Sequence, residues 1–464
     1  MKKGRFVMNL FDPNRYTHLP DDAAMIQAAV DAARETGASV VIPRHNERTG
    51  KDLWDLPRAV LLYSGSSIVL DNCFLRQSDD SMDNIFRNSI CRTSEGTKKE
   101  NRQYDIHIQG IGNATLDGGK YNGICEGNWR EKGVDLFGNC LIHFQNVERF
   151  VVENLTLSNQ RYWAMNHHCC SEGRLSNLRL NAWGDRPNQD GIDFRYGCHT
   201  ILIENIMGYS GDDVVALTCL NDRDGGLMVE GMDSSIHNVI IRNVQAVGRE
   251  DRGIIRLLNN YGRKIYNIII ENVIDLSQPG DSWRDGSCVR INELAYLKNR
   301  ETDLARFGDT YNITVRNIVS RCRHGVFASA TLENALIDNV QMFGDGGAAL
   351  LLREGDFKNI RVRNLTFSNE CDCPETDDNP TENAYNRRRI PKRPVEENRV
   401  YGVYFQGATV RNMNFDGITC GKSVDALFGG YGDVECKARD IFMQNENVPL
   451  LDVAEGVKVD IKEF

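Results

Sequence analysis

The sequence lacks several features that would assign a protein to a class at once. Its 464 residues contain no run of about 18 apolar residues, the length that a transmembrane helix needs. The opening MKKGRFVMNL is basic, but its apolar run breaks at Asn9 and again at Asp12, so it has no secretory h-region. We therefore expect a soluble, cytoplasmic protein with no membrane partner.

Other absences argue against cofactors and charged partners. The 14 cysteines are scattered without the dense spacing of a secreted disulfide scaffold, and no CxxC pair accompanies the cluster His167–Cys170. We predict reduced thiols in the core, no metal and no other cofactor. The formal net charge of −10 argues against a nucleic-acid partner.

What the sequence does contain is a repeat of short β-branched strands that end in asparagine. A coil of about 22 to 28 residues with three short strands is what a parallel β-helix requires. An asparagine between two strands can adopt the left-handed conformation, and its amide can bond the same turn of the next coil. We predict an all-β, single right-handed parallel β-helix over residues 1–464. The repeated asparagines are Asn154, Asn177, Asn205, Asn243, Asn272, Asn317, Asn339 and Asn364.

Longer steps between these asparagines predict loop insertions. The candidates are 220–235, 277–286, 293–310 and 369–399, which are polar and rich in Asp, Gly, Asn or Arg. A doubly wound α/β fold would need amphipathic helices between the strands, and these are missing outside the N-terminal region. Residues 1–60 are predicted to cap the solenoid with one helix at 21–36.

Two acidic motifs lie one coil apart. Asp190 belongs to NQDGID, and Asp212 and Asp213 belong to GDD, 22 residues further on. They should lie on the same face of adjacent strands, where closely packed carboxylates cannot all ionise. A protonated acid beside a carboxylate suits the hydrolysis of a glycosidic bond. Asp and Gly are also common in β-helix turns, so a purely structural role is the alternative.

With these motifs the chain resembles polygalacturonase-type family 28 glycoside hydrolases over most of its length. The family signature is Asn-Thr-Asp, Gly-Asp-Asp, Gly-His-Gly and Arg-Ile-Lys; here Gln189 replaces the Thr, and Gly-Asp-Asp is complete. The resemblance implies a pectin-lyase-like β-helix with Asp212 as general acid. It also implies that Asp190 and Asp213 position and deprotonate the water, which inverts the anomeric carbon.

The last two motifs depart from the family pattern. Arg252 replaces the histidine, and Arg290-Ile291-Asn292 keeps the arginine but replaces the lysine with Asn292. A guanidinium cannot relay a proton but can bind the carboxylate of an acidic sugar, with an ion pair to Asp or Glu as the alternative. Trp183 is a candidate platform for a pyranose ring. The predicted substrate-binding residues are Asn188, Trp183, Arg252, Arg256, Arg290 and Asn292.

The sequence therefore favours an inverting glycoside hydrolase that acts on a pectic or related uronate-containing oligosaccharide. Two alternatives use the same scaffold. A polysaccharide lyase or uronate epimerase would need Ca²⁺ or a neutralising cation together with a base. A glycan-binding β-helix would use the aspartates only to cap turns. The sugar, its linkage, internal or terminal cleavage and the oligomeric state are left open.

Overall fold

The computed structural model describes most of the chain. The described residues are 10–182, 184, 186, 188–220, 226–248, 253–276, 286–294, 297, 299–343, 347–368, 400–421 and 424–462. The predicted insert 369–399, all but the last residue of the predicted insert 277–286, and the candidates Trp183 and Arg252 lie outside them.

Strands dominate the described residues. They are β1 Leu10–Phe11, β2 Ser39–Ile42, β3 Trp54–Leu56, β4 Val60–Leu62, β5 Ser67–Asp71, β6 Phe74–Gln77, β7 Phe86–Asn88, β8 Gln103–Ile111, β9 Thr115–Asp117, β10 Ile142–Gln145, β11 Val147–Ser158, β12 Met165–His168, β13 Ser171–Asn181, β14 Ile192–Phe194, β15 His199–Ser210, β16 Val215–Cys219, β17 Ile236–Gly248, β18 Gly253–Asn259, β19 Ile265–Asp275, β20 Ser287–Ile291, β21 Thr310–Ser320, β22 His324–Met342, β23 Gly347–Phe367, β24 Val400–Cys420, β25 Ala426–Met443, β26 Leu451–Val453 and β27 Val457–Lys462. The helices are α1 Asp22–Thr36 and α2 Arg300–Asp303, and 3-10 turns span Pro13–Tyr16, Ser94–Thr97, Lys99–Asn101 and Leu136–Asn139.

The chain forms two compact units. Unit one comprises Met1–Asp193, Gly197–Leu202 and Asp224–Asp233, and unit two comprises Phe194–Tyr196, Ile203–Arg223 and Ser234–Phe464. Both are built of coils whose strands pair in parallel with the equivalent strand of the next coil. That residues 1–464 form a single domain stays a prediction.

Buried aliphatic side chains stack in columns inside each unit. In unit one, Ile108, Val152 and Leu175 are register partners on β8, β11 and β13. In unit two the column Ile241, Ile270, Val315 and Ile337 runs through β17, β19, β21 and β22. All of these side chains are buried. Parallel pairing with an aliphatic core on every coil confirms the predicted right-handed parallel β-helix.

The asparagines stack as the repeat predicts. In unit two, Asn243 Nδ2 donates to Asn205 Oδ1 at 3.0 Å, and Asn272 Nδ2 donates to Asn243 Oδ1 at 3.0 Å. Their φ angles are 58°, 57° and 58°, in the left-handed region that asparagine tolerates. Each turn is therefore bonded to the equivalent turn of its neighbour, which fixes the register of the coils.

The predicted N-terminal helix is confirmed as α1. Asp21 caps it by accepting a hydrogen bond from the backbone of Ala24 at 2.8 Å, and Gly37 ends it with a φ of 67°. The buried face, which includes Met25 and Ile26, packs on β1 to β4. None of the helices in the described part of the chain has the combined length and apolar character that crossing a bilayer needs.

Candidate active site

The Gly-Asp-Asp motif forms a tight turn of unit two between β15 and β16. Ser210 Oγ donates to the backbone oxygen of Asp213 at 3.1 Å, and Asp213 N donates to Asp212 Oδ1 at 2.9 Å. Asp212 is 3% exposed and Asp213 1% exposed. Two carboxylates are thus held side by side in a largely dry environment, where their charges interact strongly.

The next coil of unit two fixes the Asp213 carboxylate. Gly253 N donates to Asp213 Oδ1 at 3.0 Å, and Arg256 Nη1 donates to Asp213 Oδ2 at 2.8 Å. Arg256 reaches this position because it lies on β18, where it is the register partner of Ala216 on β16. Both oxygens of Asp213 thus accept a bond from the same neighbouring strand, which fixes the plane of the carboxylate.

Arg256 was predicted to bind substrate, and the structure gives its guanidinium a protein partner. Its side chain is 6% exposed, so the pair with Asp213 is buried. A buried carboxylate that lost its counter-charge would be strongly destabilised. The contact therefore gives Arg256 a positioning role toward the Gly-Asp-Asp motif, and direct contact with a sugar stays a prediction.

Arg290 lies one strand further along the same face. It is the register partner of Arg256 on β20, and Phe327 follows it on β22. Its guanidinium pairs with the Glu293 carboxylate and lies 4.9 Å from the centre of the Phe327 ring. Arg353 lies 5.0 Å from the same ring. The face thus carries cationic groups over an aromatic ring, next to the acidic turn.

Asn292 is part of an internal network. Its Oδ1 accepts from Asn259 N at 3.1 Å, and its Nδ2 donates to Thr310 Oγ1 at 3.2 Å. The residue is 2% exposed and has a φ of 63°. These bonds tie the end of β20 to neighbouring coils, so the role that they show for Asn292 is structural. Its predicted contact with substrate stays a prediction.

The first acidic motif belongs to unit one. Gln189 Nε2 donates to the backbone oxygen of Gln160 at 2.9 Å, and Gln160 Nε2 donates to that of Asp190 at 3.0 Å. Ala164 N also donates to the Asp190 backbone oxygen, at 2.9 Å. Asp190 is 6% exposed, and Asn188 is partly buried with a φ of 48°. Gln189, which replaces the family threonine, thus anchors the turn that carries Asp190.

Sequence reasoning missed Gln160. The signal was its position, since Gln160 and Gln189 lie 29 residues apart, about one coil, and both precede a strand of the same face. A glutamine amide can donate and accept at once, and it therefore pairs well with a backbone turn one coil away.

The histidine cluster of unit one is buried. His167 Nδ1 lies 3.0 Å from the backbone oxygen of Asp193, and its ring stacks on Phe150 with centroids 5.3 Å apart. Burial lowers the pKa of His167 to about 3 and that of His143 well below its ordinary value. Both rings are therefore neutral at physiological pH. None of the cysteines in the described part of the chain forms a disulfide.

Both acidic motifs lie in a part of the chain that matches a known protein family. Residues 69–235 match the family model described as glycosyl hydrolases family 28. These residues are similar to the glycosyl hydrolases of family 28. They include Asp190, Asp212 and Asp213, whereas Arg256 and Arg290 lie beyond them. The predicted resemblance to family 28 is confirmed over these residues.

One curated relative matches a shorter stretch. An Aspergillus flavus protein that carries the provisional name galacturan 1,4-alpha-galacturonidase A is 30% identical to the chain over 118 residues. The match covers 22% of this chain and 27% of that relative, so the chain matches about a quarter of the relative's length.

Two solved structures align with nearly the whole chain. The A-module of the mannuronan C-5 epimerase AlgE6 from Azotobacter vinelandii has a TM-score of 0.57 at 14% identity, covering 93% of this chain and 99% of that one. A family 28 exopolygalacturonase from Yersinia enterocolitica has a TM-score of 0.48 at 13% identity, covering 98% and 78%. At this identity the likeness to the epimerase module shows the fold alone.

Proposed function

We propose that the protein is a glycoside hydrolase that cleaves a galacturonate-containing oligosaccharide with inversion. Asp212 protonates the leaving oxygen, and Asp190 and Asp213 hold the attacking water and remove its proton. The one-coil spacing of the two acidic motifs in the sequence is the reason for assigning the three aspartates to one reaction.

The observation that carries the proposal is the clamp on Asp213. A turn-capping aspartate would bond to its own turn, whereas both oxygens of Asp213 accept donors from the next coil, Gly253 N and Arg256 Nη1. The similarity to family 28 supports the same assignment, because the matched residues 69–235 include both acidic motifs. A carboxylate held rigidly beside a second one suits a base that must keep its orientation while a water reacts.

An acidic sugar is supported by the cationic groups next to the acidic turn. Arg290 lies beside Arg256 on this face, and its guanidinium has N–H donors beyond the one that pairs with Glu293, which a uronate carboxylate could accept. The name of the Aspergillus flavus relative points to the same class of sugar. We therefore propose that Arg290 contacts the carboxylate of the bound uronate.

The test is hydrolysis of oligogalacturonides, with neutral oligosaccharides for comparison, followed by proton NMR of the first product anomer. Inversion of the anomeric configuration is expected. Asp212→Asn should lower kcat by about 10²- to 10⁴-fold, because it removes the general acid but keeps an oxygen for Asp213 N. Asp416→Asn, which alters an exposed hydrogen bond with Arg439, is the matched control. Undiminished turnover in Asp212→Asn, or retention of configuration, would contradict the proposal.

A further inference from the structure

The last described strand of unit two has one edge without a paired strand. β27 pairs in parallel with β25 along its other edge, and none of the other strand pairings in the described part of the chain includes it. Its six residues run from Val457 to Lys462. The backbone N–H and C=O groups on the outer edge are therefore open to a further strand.

The inward side chains of β27 lie at the end of the buried core columns. Val457, Val459 and Ile461 alternate with exposed residues, and each of the three is only half-buried. One strand further in, the same columns are fully buried, so one more strand over β27 would remove these side chains from water in the same way. Their register partners on β25, which are all at most 3% exposed, are Val434, Cys436 and Ala438.

β26 shows the same exposure. Leu451 of β26 is 43% exposed, whereas its register partner on β25, Phe428, is completely buried. We call the exposed ends of these columns the terminal face; it comprises Leu451, Val457, Val459 and Ile461. Apolar side chains that are grouped beside an open strand edge are typical of a protein–protein contact.

The outward side chains of β27 are charged, and their signs are self-complementary. Lys458 and Asp460 are both exposed. If a second copy of β27 runs antiparallel and is centred on Val459, Lys458 of each copy lies opposite Asp460 of the other. The same register places Val457 opposite Ile461 and Val459 opposite its own copy, so the apolar side chains stay on one face.

Other registers use the strand less well. Centred on Asp460, the two strands would bring Lys458 opposite Lys462, and like charges directly opposite each other are destabilising. Centred on Ile461, they would pair Asp460 with Lys462 but leave Val457 without an apolar residue opposite. A register centred between two residues would set inward side chains opposite outward ones. The register centred on Val459 is the one that satisfies both the charges and the apolar side chains.

The beginning of the chain argues for a two-fold contact. Head-to-tail stacking would bring β27 of one copy against the first strands of the next, and α1 packs on β1 to β4 there. Head-to-tail contacts also build open fibres unless they close into a ring. A two-fold contact uses the same surface on both copies and is complete with two chains.

We infer that two copies of the protein form a dimer in which β27 of one pairs antiparallel with β27 of the other, centred on Val459. The dimer covers the terminal face of both copies and joins Lys458 to Asp460 twice. This inference concerns assembly alone and does not depend on the proposed hydrolysis.

Charge reversal tests the pairing, with sedimentation equilibrium of the whole chain at several concentrations as the measurement. Lys458→Asp and Asp460→Lys each replace two attractive pairs by two repulsive ones, and each should raise the dissociation constant of the dimer about 10-fold or more. Lys462→Asp is the matched control on the same strand. It lies opposite Gly456 in this register, so the constant should change by less than about twofold. Thermal unfolding of each variant shows that the fold is retained.

Mixing the two single variants separates pairing between copies from effects within one chain. Each reversal also sets like charges side by side inside the chain, because Lys458 is the register partner of Glu435 and Asp460 that of Lys437. An equimolar mixture leaves these internal pairs unchanged but allows a heterodimer in which both pairs between the copies are again of opposite sign. We expect the mixture to dimerise about as tightly as the wild type.

Four outcomes would each overturn the inference. They are a wild type that stays monomeric at every concentration, an unchanged dissociation constant in either single variant, a loss of the dimer in Lys462→Asp, and a mixture that associates no more tightly than the separate variants. A monomeric wild type would leave the terminal face to a partner other than a second copy.

Discussion

Asp213 and Arg256 form an ion pair that is almost completely shielded from water. Nη1 and Oδ2 lie 2.8 Å apart, and the side chains are 1% and 6% exposed, respectively. Adjacent parallel coils bring the two residues together although they are 43 positions apart in the sequence. The pair couples the stability of unit two to the geometry of the proposed base.

Removing the guanidinium should destabilise the protein. Arg256→Ala leaves the Asp213 carboxylate buried without its counter-charge, which should lower the free energy of unfolding by about 3 to 5 kcal/mol. Arg439→Ala breaks an exposed pair with Asp416, and its loss of stability should be far smaller because water and salt screen such a pair. Urea unfolding of both variants measures the difference. Equal losses would mean that the buried pair contributes no more than a surface pair.

The kinetics of Arg256→Lys distinguish a positioning role from substrate binding. Lysine keeps the charge but loses the planar fork of the guanidinium, so the Asp213 carboxylate would be held less rigidly. We expect kcat to fall by about 10-fold or more, with KM little changed. A rise in KM at constant kcat would show that Arg256 binds the sugar, as the sequence predicts.

Much of the fold could be predicted because a β-helix repeats its physical solution on every coil. The asparagine turns and α1 follow from local rules that the sequence displays. The partner of a guanidinium cannot be predicted from local rules, because a carboxylate of the protein and one of a substrate can accept its hydrogen bonds equally well. Arg256 and Asn292 were therefore assigned to substrate, whereas the structure gives Arg256 a carboxylate and Asn292 an internal hydrogen-bond network.

The long loop of residues 118–141, between β9 and β10, was missed for a different reason. Residues 118–141 carry no strand that ends in the repeated asparagine, so the spacing that revealed the other inserts had no reference point there. The available signal was composition, since this stretch is rich in glycine and contains Trp129 and Phe137. Apolar rings in a glycine-rich segment indicate a loop that packs on the body of the protein.

The stacked asparagines predict which of two variants at Asn272 is the more stable. Asn272 donates to Asn243 at 3.0 Å and accepts from Asn317 at 2.9 Å, with a φ of 58°. Asn272→Ala loses both bonds and forces alanine into the left-handed region, which should cost about 2 to 3 kcal/mol. Asn272→Gly loses the bonds but tolerates the backbone, so it should cost less. Thermal and urea unfolding measure the order, and an alanine variant as stable as the glycine variant would contradict it.

The buried His167 makes the protein sensitive to acid. Its pKa is lowered to about 3 by burial, against an ordinary value of 6.5. Between these values the unfolded chain takes up a proton that the native ring refuses, so the free energy of unfolding should decrease as the pH falls, by up to about 1.4 kcal/mol per pH unit. Above pH 6.5 both states are neutral and this contribution to the pH dependence vanishes.

His167→Phe separates this effect from packing. Phenylalanine keeps the stacking on Phe150 but loses the contact with the backbone oxygen of Asp193, so the variant should be less stable at pH 7.5. It should also lose less stability on acidification, because it has no ring nitrogen to protonate when unfolded. Urea unfolding at several pH values from 7.5 to 4.5, with the exposed His45→Gln alongside, measures both effects. Parallel curves for the wild type and His167→Phe would show that this histidine is protonated as readily in the native protein as in the unfolded chain.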